Sequence, residues 1–389
     1  MVGKRVVVKL GGSVLSSTED FIKMASIAKK ELELGHELVL VVSAMKGHTD
    51  ELISLARQVG ADGELLDSIS GLGEVLSARL MAAALNSLGV ESVAIDPSSP
   101  LWPIYTDDRF GDANPDLPRT CGAAISGIEP LLGRTIPVIC GYVGKTRDGR
   151  LTTMGRGGSD TTAVTLARCL NADEVVLVKD SQGFMSADPK LVKNAVQIRS
   201  MDAEDVLMMS LGGAKVLHYK ALRYLAPTVR MRIVSSSTDR FTSGGTIVQG
   251  HIPDLNVEVY DKPITMVTLI TNGLPIGDLN LKGIISVSTL EKSMILYVQG
   301  DEIETVKKLH KLVDEGKAKA ISVRKDVAMI KVWGSAIEEV PGVIYKISEP
   351  LTSHGVNIFG LQTVHNKIAV FVDWDKKERA ATELSSTLG

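Results

Sequence analysis

Strand-like and helix-like segments alternate through the first 250 residues, and this alternation constrains the fold more than any other feature. The segments RVVVKL and ELVLVVSAM, at residues 5–10 and 37–45, are continuous apolar runs with a helical pattern between them. Such runs indicate strands buried on both faces, as in a parallel sheet covered by helices. The sequence therefore predicts an α/β fold in which a mostly parallel sheet is sandwiched by helices.

Further strands and helices continue this pattern. The predicted strands lie at 92–95, 136–144, 174–180 and 229–236, and the predicted helices lie near 72–88, 159–170 and 202–210. Five prolines between Pro97 and Pro118 predict an irregular loop, which would overlie a site or a subunit contact. A second break, at 242–254, ends the α/β part. We therefore expect one domain over residues 1–250.

The composition changes after this break, and residues 256–389 contain short strands with few helices between them. The order strand-helix-strand-strand-helix-strand occurs roughly twice, which suggests paired ferredoxin-like βαββαβ units. In the first unit the strand ITMVTLI (264–270) runs through NGLPIGDLN to the strand GIISVST, with no room for a helix. The first unit is therefore expected to be shortened.

Charge and composition exclude several classes of protein. The 43 Lys and Arg residues against 46 Asp and Glu give a net charge of −3 without a basic stripe, so neither nucleic acid nor an anionic membrane is an expected partner. The longest uncharged stretch, 350–366, is too short and too polar to span a membrane. The start of the chain lacks the pattern of a signal peptide, which predicts a cytoplasmic protein. The odd number of cysteines predicts small core residues instead of disulfides, at Cys121, Cys140 and Cys169.

Two glycine-rich loops follow predicted strands and carry charged residues. In KLGGS, residues 9–13, backbone N–H groups can face a phosphate while Lys9 adds positive charge, although a tight turn with a solvated lysine would look the same. In the second loop Arg156 lies between two glycines and is suited to hold a carboxylate bidentately. Ser159 and Asp160 follow as good capping residues for the next helix.

Other polar residues lie at strand ends or helix starts. The loop at 179–190 is a candidate nucleotide site, because ligands of open α/β sheets bind beyond the carboxyl ends of strands, but an ordinary surface turn has the same composition. Lys215 follows small residues, and most such lysines are simply solvated. Glu74 is equally explained as a favourable acid at a helix N-terminus, and Tyr142 as a packing residue.

Six motifs, in this order and spacing, resemble the aspartate kinases of the amino-acid-kinase superfamily. They are KLGGS (9–13), VVSAM followed by HTDEL (41–52), GEVLSARL (73–80), LTTMGRGGSDTTA (151–163), SADP (186–189) and GAKVLH (213–218). The resemblance covers about residues 1–250, and the pattern after residue 256 is similar to the two ACT domains that these enzymes carry. It implies ATP-dependent phosphorylation of the side-chain carboxylate of L-aspartate, which gives 4-phospho-L-aspartate and ADP and begins the route to lysine, threonine and methionine.

The resemblance also implies roles for individual residues. Lys9 and Lys215 would contact the ATP phosphates, Asp160 would orient the lysines, and Mg²⁺ would be held on the phosphates without a direct protein ligand. The loop that cradles the phosphates would be Gly11, Gly12 and Ser13. The residues expected to bind aspartate are Ser43, Thr49, Glu74, Tyr142, Arg156 and Ser159. The residues expected to bind the nucleotide are Lys179, Asp180, Met185 and Lys190, of which Lys179, Met185 and Lys190 replace the family's usual Thr, Tyr and Arg.

Two other functions fit parts of the sequence. One is a superfamily member acting on another carboxylate or phosphate, but Glu74, Arg156 and Asp160 favour a free amino acid with both charges. The other is a ligand sensor with an inactive kinase domain, against which Lys9 and Lys215 argue. The resemblance further implies a homodimer or higher homo-oligomer formed through the ACT region. Because the first ACT unit is shortened, we expect feedback inhibition by lysine or threonine to be weakened or lost.

Overall fold

The structure is a computed structural model that describes residues 3–214, 216–271, 282–299, 302–335, 337 and 341–388. The chain divides into two compact units, Met1–Ile252 and Pro253–Gly389. Each unit has its own sheet and its own buried core. The predicted phosphate-site lysine, Lys215, lies outside the described residues, and so does the link at 272–281 where the first ACT unit was expected to be shortened.

The first unit is built on an eight-stranded sheet and a separate two-stranded hairpin. Its strands β1 to β10 are Arg5–Leu10, Glu37–Val42, Ser92–Ile95, Ile136–Cys140, Val143–Lys145, Leu151–Thr153, Glu174–Lys179, Ser200–Asp202, Arg230–Ser235 and Thr246–Gln249. The sheet order is β3-β4-β2-β1-β7-β9-β10-β8, and β5 pairs with β6 in the hairpin. The six strands from β3 to β9 in this order are parallel, whereas β10 is antiparallel to β9. The predicted mostly parallel sheet is confirmed.

The register of the central strands brings their carboxyl ends to one edge. Leu10 at the end of β1 lies opposite Val42 of β2 and Val178 of β7. The apolar side chains of these strands are fully buried, as the continuous runs predicted. Loops that follow β1, β2, β4 and β7 therefore meet above the same edge of the sheet.

Eight helices belong to the described part of the first unit. Helices α1 to α8 are Thr18–Glu33, His48–Gln58, Gly63–Ser70, Leu72–Ser87, Leu117–Gly127, Gly158–Cys169, Ala203–Leu211 and Tyr219–Leu222. The stretch Gly63–Ser87, which joins α3 and α4, is long and apolar enough to cross a membrane by length and composition, although no membrane span was expected. More than half of its most apolar window, 56%, is buried inside the protein. It also directs the buried carboxylates of Asp67 and Glu74 inward, as expected of a core helix.

The predicted break at 242–254 contains the end of the first unit at Ile252, and it also contains β10, which lies between β9 and β8 in the sheet. Two expectations for the first unit were wrong. The segment 136–144 is two elements, because the chain turns at Tyr142, which has a positive φ of 68°. Cys121 and Cys169 form a disulfide between the packed helices α5 and α6, whereas Cys140 is a free, buried thiol. Their separation of 48 residues gave no spacing signal for this pairing.

The second unit is an antiparallel sheet with helices. Its strands β11 to β17 are Asn256–Val259, Ile264–Thr271, Ile284–Leu290, Ser293–Val298, Ala318–Trp333, Gly360–Val364 and Lys367–Asp373. Its helices α9 to α11 are Glu302–Asp314, Val343–Ser353 and Lys377–Leu388. The sheet order is β13-β14-β12-β15-β17-β16, and β11 also pairs with β15.

The long strand β15 differs from the prediction. In sequence, the segments AISVRK (320–325) and AMIKVWG (328–334) predict two separate strands, but both belong to the single strand Ala318–Trp333 of 16 residues. Its first half pairs with β12, and its second half pairs with β17. A single shared strand therefore joins the two ferredoxin-like halves into one sheet.

Candidate active site

The loop KLGGS begins at the end of β1 and places Lys9 and two glycines at the edge of the sheet. The Lys9 side chain is 9% exposed, and its ammonium lies 2.8 Å from Oδ1 of Asp160. A Cβ atom on Gly12 would lie 2.7 Å from the carbonyl oxygen of Ala44, so only glycine allows this close approach. A Cβ atom on Gly11 would lie 3.3 Å from the Lys9 ammonium. These glycines leave the backbone bare beside a positive charge, as a phosphate-binding loop requires.

Helix α6 carries Ser159 and Asp160 in its first turn. Gly157 precedes the helix with a positive φ of 74°, which an L side chain rarely adopts. Asp160 is 3% exposed and contacts two cations, Lys9 and, at 2.7 Å from its Oδ2, Lys179 at the end of β7. Burial alone would raise the pKa of Asp160, but the ammonium groups of Lys179 and Lys9 hold it well below its usual range. Asp160 is therefore ionised at neutral pH.

The environment of Lys9 disfavours its charged form. Burial lowers the pKa of Lys9 to about 8, an effect that Asp160 opposes and that repulsion from Lys179 increases. Most Lys9 side chains are protonated at pH 7, because the pKa of about 8 lies above that pH. Lys9 is thus a buried, positively charged group whose pKa lies only about one unit above neutral pH.

Glu74 is the second buried carboxylate of the site. It is 3% exposed, and its Oε2 atom has no hydrogen-bond partner among the described residues. Burial raises the pKa of the Glu74 carboxyl to about 7, while hydrogen bonds from the Ala44 backbone and from Thr49 lower it. A buried carboxylate oxygen without a partner is costly unless a ligand satisfies it. Glu74 is therefore suited to bind a cationic group.

One cavity of about 580 Å³ brings most of the predicted residues together. Its walls include the predicted residues Lys9, Gly12, Ser13, Ser43, Thr49, Glu74, Tyr142, Arg156, Ser159 and Asp160. Arg156 is exposed at the mouth of this cavity, where its guanidinium is available to a ligand. The cavity walls thus combine the guanidinium group of Arg156, the carboxylate of Glu74 and the ammonium group of Lys9 beside the glycine-rich loop.

The predicted nucleotide residues lie apart from this cavity. Lys179 is connected to it through Asp160, whereas Asp180 and Lys190 are exposed and Met185 is half-buried in the loop after β7. Met185 forms a bridge with Gln197, which anchors that loop. These three residues do not line the cavity walls.

Sequence analysis missed Lys220, which holds the loops around Arg156. Lys220 is 4% exposed, and its ammonium donates to Asp112 Oδ1 at 2.6 Å and to the carbonyl oxygens of Ala113 and Met154, each at 3.1 Å. These bonds tie the irregular loop to the segment that precedes Arg156. The signal in the sequence that could have identified Lys220 was its position two residues after the motif GAKVLH (213–218).

Asp67 on α3 was also missed, although it anchors the same irregular loop. Its carboxylate accepts from the Gly111 N–H at 2.8 Å, the Thr153 N–H at 2.7 Å and the Thr153 hydroxyl at 2.9 Å. Asp67 and Ser70 are the buried residues of α3, and this i,i+3 spacing of polar residues on the inward face was the available signal.

Replacing Asp67 should destabilise the protein. We expect Asp67→Ala to lower the free energy of unfolding by about 3 kcal/mol, because two backbone N–H groups and one hydroxyl lose a charged acceptor. Urea denaturation at pH 7 measures this change. Asp62→Ala is the matched control, since Asp62 precedes the same helix without a side-chain capping bond. An equal loss in both variants would contradict the anchoring role of Asp67.

Comparisons with known proteins agree with this fold and site. Residues 4–235 match the family described as "Amino acid kinase family", and residues 322–386 match "ACT domain". An aspartokinase from Mycobacterium bovis is 30% identical over 99% of this chain and 96% of its own, and one from Thermus thermophilus is 29% identical over 96% of each. Aspartate kinase from Synechocystis has a TM-score of 0.73 and 25% identity, covering 98% of this chain and 69% of that one. Escherichia coli aspartokinase III, at 23% identity and a TM-score of 0.59, shows the likeness of fold over 99% of this chain and all of its own.

The parallel sheet, the glycine loop and the buried lysines define an enzyme of the kinase class. The extent and level of identity to the curated relatives make the assignment more specific. The chain belongs to the aspartokinases of the amino acid kinase family. The predicted family, enzyme class and fold class are confirmed.

Proposed function

We propose that the chain transfers the γ-phosphoryl group of ATP to the side-chain carboxylate of L-aspartate. One observation carries this proposal: Glu74, Arg156 and Lys9 all face the cavity of about 580 Å³. Glu74 would take the substrate ammonium, and Arg156 would bind the α-carboxylate bidentately. Ser43, Thr49, Tyr142 and Ser159 would contribute hydroxyl groups that fix the substrate's orientation. A free amino acid with both charges fits this set of groups.

The reaction needs positioning and positive charge more than it needs a base. The substrate's side-chain carboxylate has an ordinary pKa near 4, so it is already ionised when its oxygen attacks the γ-phosphorus and the bond to the ADP oxygen breaks. Lys9 and the Gly11 and Gly12 amides would stabilise the negative charge on the transferred group, and Asp160 would orient Lys9. We assign Lys215 to the same phosphates from its motif alone.

The remaining nucleotide residues follow β7. The nucleotide would be bound by Lys179, Asp180, Met185 and Lys190. Mg²⁺ neutralises phosphate charge in such reactions, and it usually keeps several waters while it binds substrate phosphates. Within the described ranges, no group of three or more His, Cys, Asp and Glu residues could hold a metal ion. We propose that Mg²⁺ enters with ATP, bound to its phosphates.

We also propose the setting in which the enzyme works. The family fits amino-acid biosynthesis in the cytoplasm, and residues 256–389 would join two or more copies through their ACT sheets. Light scattering after size-exclusion chromatography tests this assembly directly. A monomer of 41.6 kDa at micromolar concentration would contradict it.

Release of ADP, coupled to oxidation of a reporter nucleotide, tests the proposed reaction. We expect release with L-aspartate and Mg·ATP, and little with succinate, which has both carboxylates but no ammonium for Glu74. Acetylglutamate and uridine monophosphate test the other superfamily substrates. Activity with either of these in preference to L-aspartate would overturn the proposal, as would a protein that binds ATP but releases no ADP with any of the four.

The pKa of Glu74 predicts how binding of aspartate depends on pH. In the free enzyme the pKa of Glu74 is about 7 and that of Lys9 is about 8. With increasing pH, kcat/KM for aspartate should therefore rise through about pH 7, where Glu74 becomes ionised, and fall above about pH 8, where Lys9 loses its charge. Glu74→Gln should lower kcat/KM at pH 8 about 100-fold and remove the acidic limb, because the amide carries no charge to attract the ammonium. Initial rates between pH 5.5 and 9.5 measure both effects.

The stability of the same variant provides an independent check. The raised pKa of Glu74 means that its stabilising contribution is fully present below the unfolded pKa of about 4 and is lost as the pH rises through about 7. Glu74→Gln should therefore be at least as stable as the parent at pH 8. In the pH profile of kcat/KM, an acidic limb that persists in Glu74→Gln would show that a group other than Glu74 causes it.

A further inference from the structure

Asp160 lies between two lysines that come from adjacent strands. The register of β1 and β7 places Leu10 opposite Val178, so Lys9 and Lys179 lie at the same edge of the sheet. Their ammonium groups lie 2.8 Å and 2.7 Å from the two oxygens of Asp160. The side chains of Asp160, Lys9 and Lys179 are only 5%, 9% and 15% exposed. We call these three residues the Lys9–Asp160–Lys179 cluster.

The charge of this cluster depends on Lys179. Two ammonium groups and one carboxylate give a net charge of +1, whereas Lys9 and Asp160 alone form a neutral pair. A neutral buried pair attracts a polyphosphate weakly, because the carboxylate cancels the field of the ammonium. Lys179 thus gives the cluster a net positive charge, in addition to the charge of Lys215 that the motif assigns to the same phosphates.

The position of Lys179 also fits contact with a phosphate. It is the last residue of β7, and nucleotide ligands of such sheets bind beyond the carboxyl ends of parallel strands. An ammonium group has three N–H donors, of which the bond to Asp160 uses one. No other hydrogen bond of this ammonium is seen among the described residues, and the side chain is 15% exposed, so its other donors are available to phosphate oxygens.

We propose that Lys179 is a further catalytic residue, which balances the charge of Asp160 and donates to the same phosphates as Lys9. This inference rests on the proposed function and adds a third member to the pair of Lys9 and Asp160. In this arrangement Asp160 holds both ammonium groups apart at a fixed spacing. The positive charge then faces the nucleotide before it binds, so the cluster needs no rearrangement during transfer.

The titration of Lys9 reports the presence of Lys179. The charged groups that face Lys9 are Asp160 from α6, Lys179 from β7 and Glu74 from α4. Loss of the Lys179 charge removes a repulsion and leaves Asp160 with Lys9 as its only lysine in the described part of the site, so the pKa of Lys9 should rise. The alkaline limb of kcat/KM should then move to higher pH.

Three variants separate the charge of Lys179 from its bond to Asp160. Lys179→Met removes both, Lys179→Gln keeps a hydrogen-bond donor without charge, and Lys179→Arg keeps the charge. Lys193→Met is the matched control, because Lys193 is an exposed lysine in the loop region that follows the same strand. The measurements are the dissociation constant of Mg·ADP by calorimetry, kcat and KM for each substrate, and the pH profile.

We expect Lys179→Met and Lys179→Gln to weaken Mg·ADP binding at least about tenfold, as loss of a charged hydrogen bond does. Both should move the alkaline limb upward and leave KM for aspartate nearly unchanged. Lys179→Arg and Lys193→Met should bind Mg·ADP like the parent. Should Lys179→Met fail to fold, Lys179→Gln provides the same test.

Parent-like ADP binding and an unmoved alkaline limb in Lys179→Gln would overturn the inference, and would leave Lys179 as a structural partner of Asp160. The proposed function fails by a different result, namely no ADP release by the parent with L-aspartate. The calorimetric comparison of parent and Lys179→Gln still decides the role of Lys179 in that case.

Discussion

Lys9→Met should lower kcat about 1000-fold while the protein remains folded, because it removes a preorganised positive charge from the transferred phosphoryl group. Methionine fills the space of the lysine stem without an ammonium group. Asp160 keeps Lys179 at 2.7 Å, so the substitution leaves no isolated buried carboxylate. The ADP-release assay at saturating L-aspartate and Mg·ATP measures the loss, and circular dichroism during urea unfolding measures the stability.

The matched control is Lys23→Met, which removes an exposed lysine from α1, the helix that follows the glycine loop. It should retain the parent's kcat and its unfolding midpoint. Activity of Lys9→Met within tenfold of the parent would refute the proposed role of Lys9. Equal losses in both variants would attribute the effect to net charge instead of position.

The central site was predictable because its residues follow continuous apolar strands. Burial on both faces identified β1, β2, β4 and β7 from sequence, and parallel strands bring their following loops to one edge. Lys9, Ser43, Tyr142 and Lys179 all occupy this edge or follow it directly. Their proximity therefore follows from topology, without knowledge of any side-chain conformation.

The contacts that support the site were not predictable in this way. Asp67 and Lys220 bind backbone groups of the irregular loop, and a loop without periodicity gives no sign of which side chain will satisfy its N–H and C=O groups. The same limit applies to the pairing of Lys179 with Asp160, because it needs the register of β7 against β1 and the start of α6.

In the second unit, prediction from sequence failed for a different reason. The strand segments of β15 were both identified, but their fusion into one strand was not. Arg324, Lys325 and Asp326 separate the two apolar parts, and this charged interruption divides the segment into two short strand patterns. Here the sheet continues on both sides of this segment, so pairing with β12 and β17 keeps the chain extended.

Asp160→Asn should lower kcat at least as much as Lys9→Met, about 1000-fold, and should also destabilise the protein. The amide leaves two nearly buried ammonium groups without a counter-charge, and removing one partner of a buried pair costs about 3–5 kcal/mol. The pKa of Lys9 is already lowered to about 8 by burial and should fall further once Asp160 is replaced by a neutral amide, so a smaller fraction of Lys9 is charged at pH 7. The ADP-release assay and urea unfolding measure the two losses.

The dependence of this destabilisation on pH distinguishes charge from packing. Asp160 has a depressed pKa when folded, so its stabilising contribution is present above the unfolded pKa of about 4 and is lost as the pH falls toward the folded value. The difference in unfolding free energy between parent and Asp160→Asn should be nearly constant between about pH 5 and 6, below the titration of Lys9, and should shrink below about pH 4. Asp205→Asn, at an exposed aspartate in the first turn of α7, should stay within about 0.5 kcal/mol of the parent. A difference for Asp160→Asn that does not shrink between pH 5 and pH 3 would indicate lost packing, because in this range unfolded Asp160 takes up a proton while folded Asp160 keeps its charge.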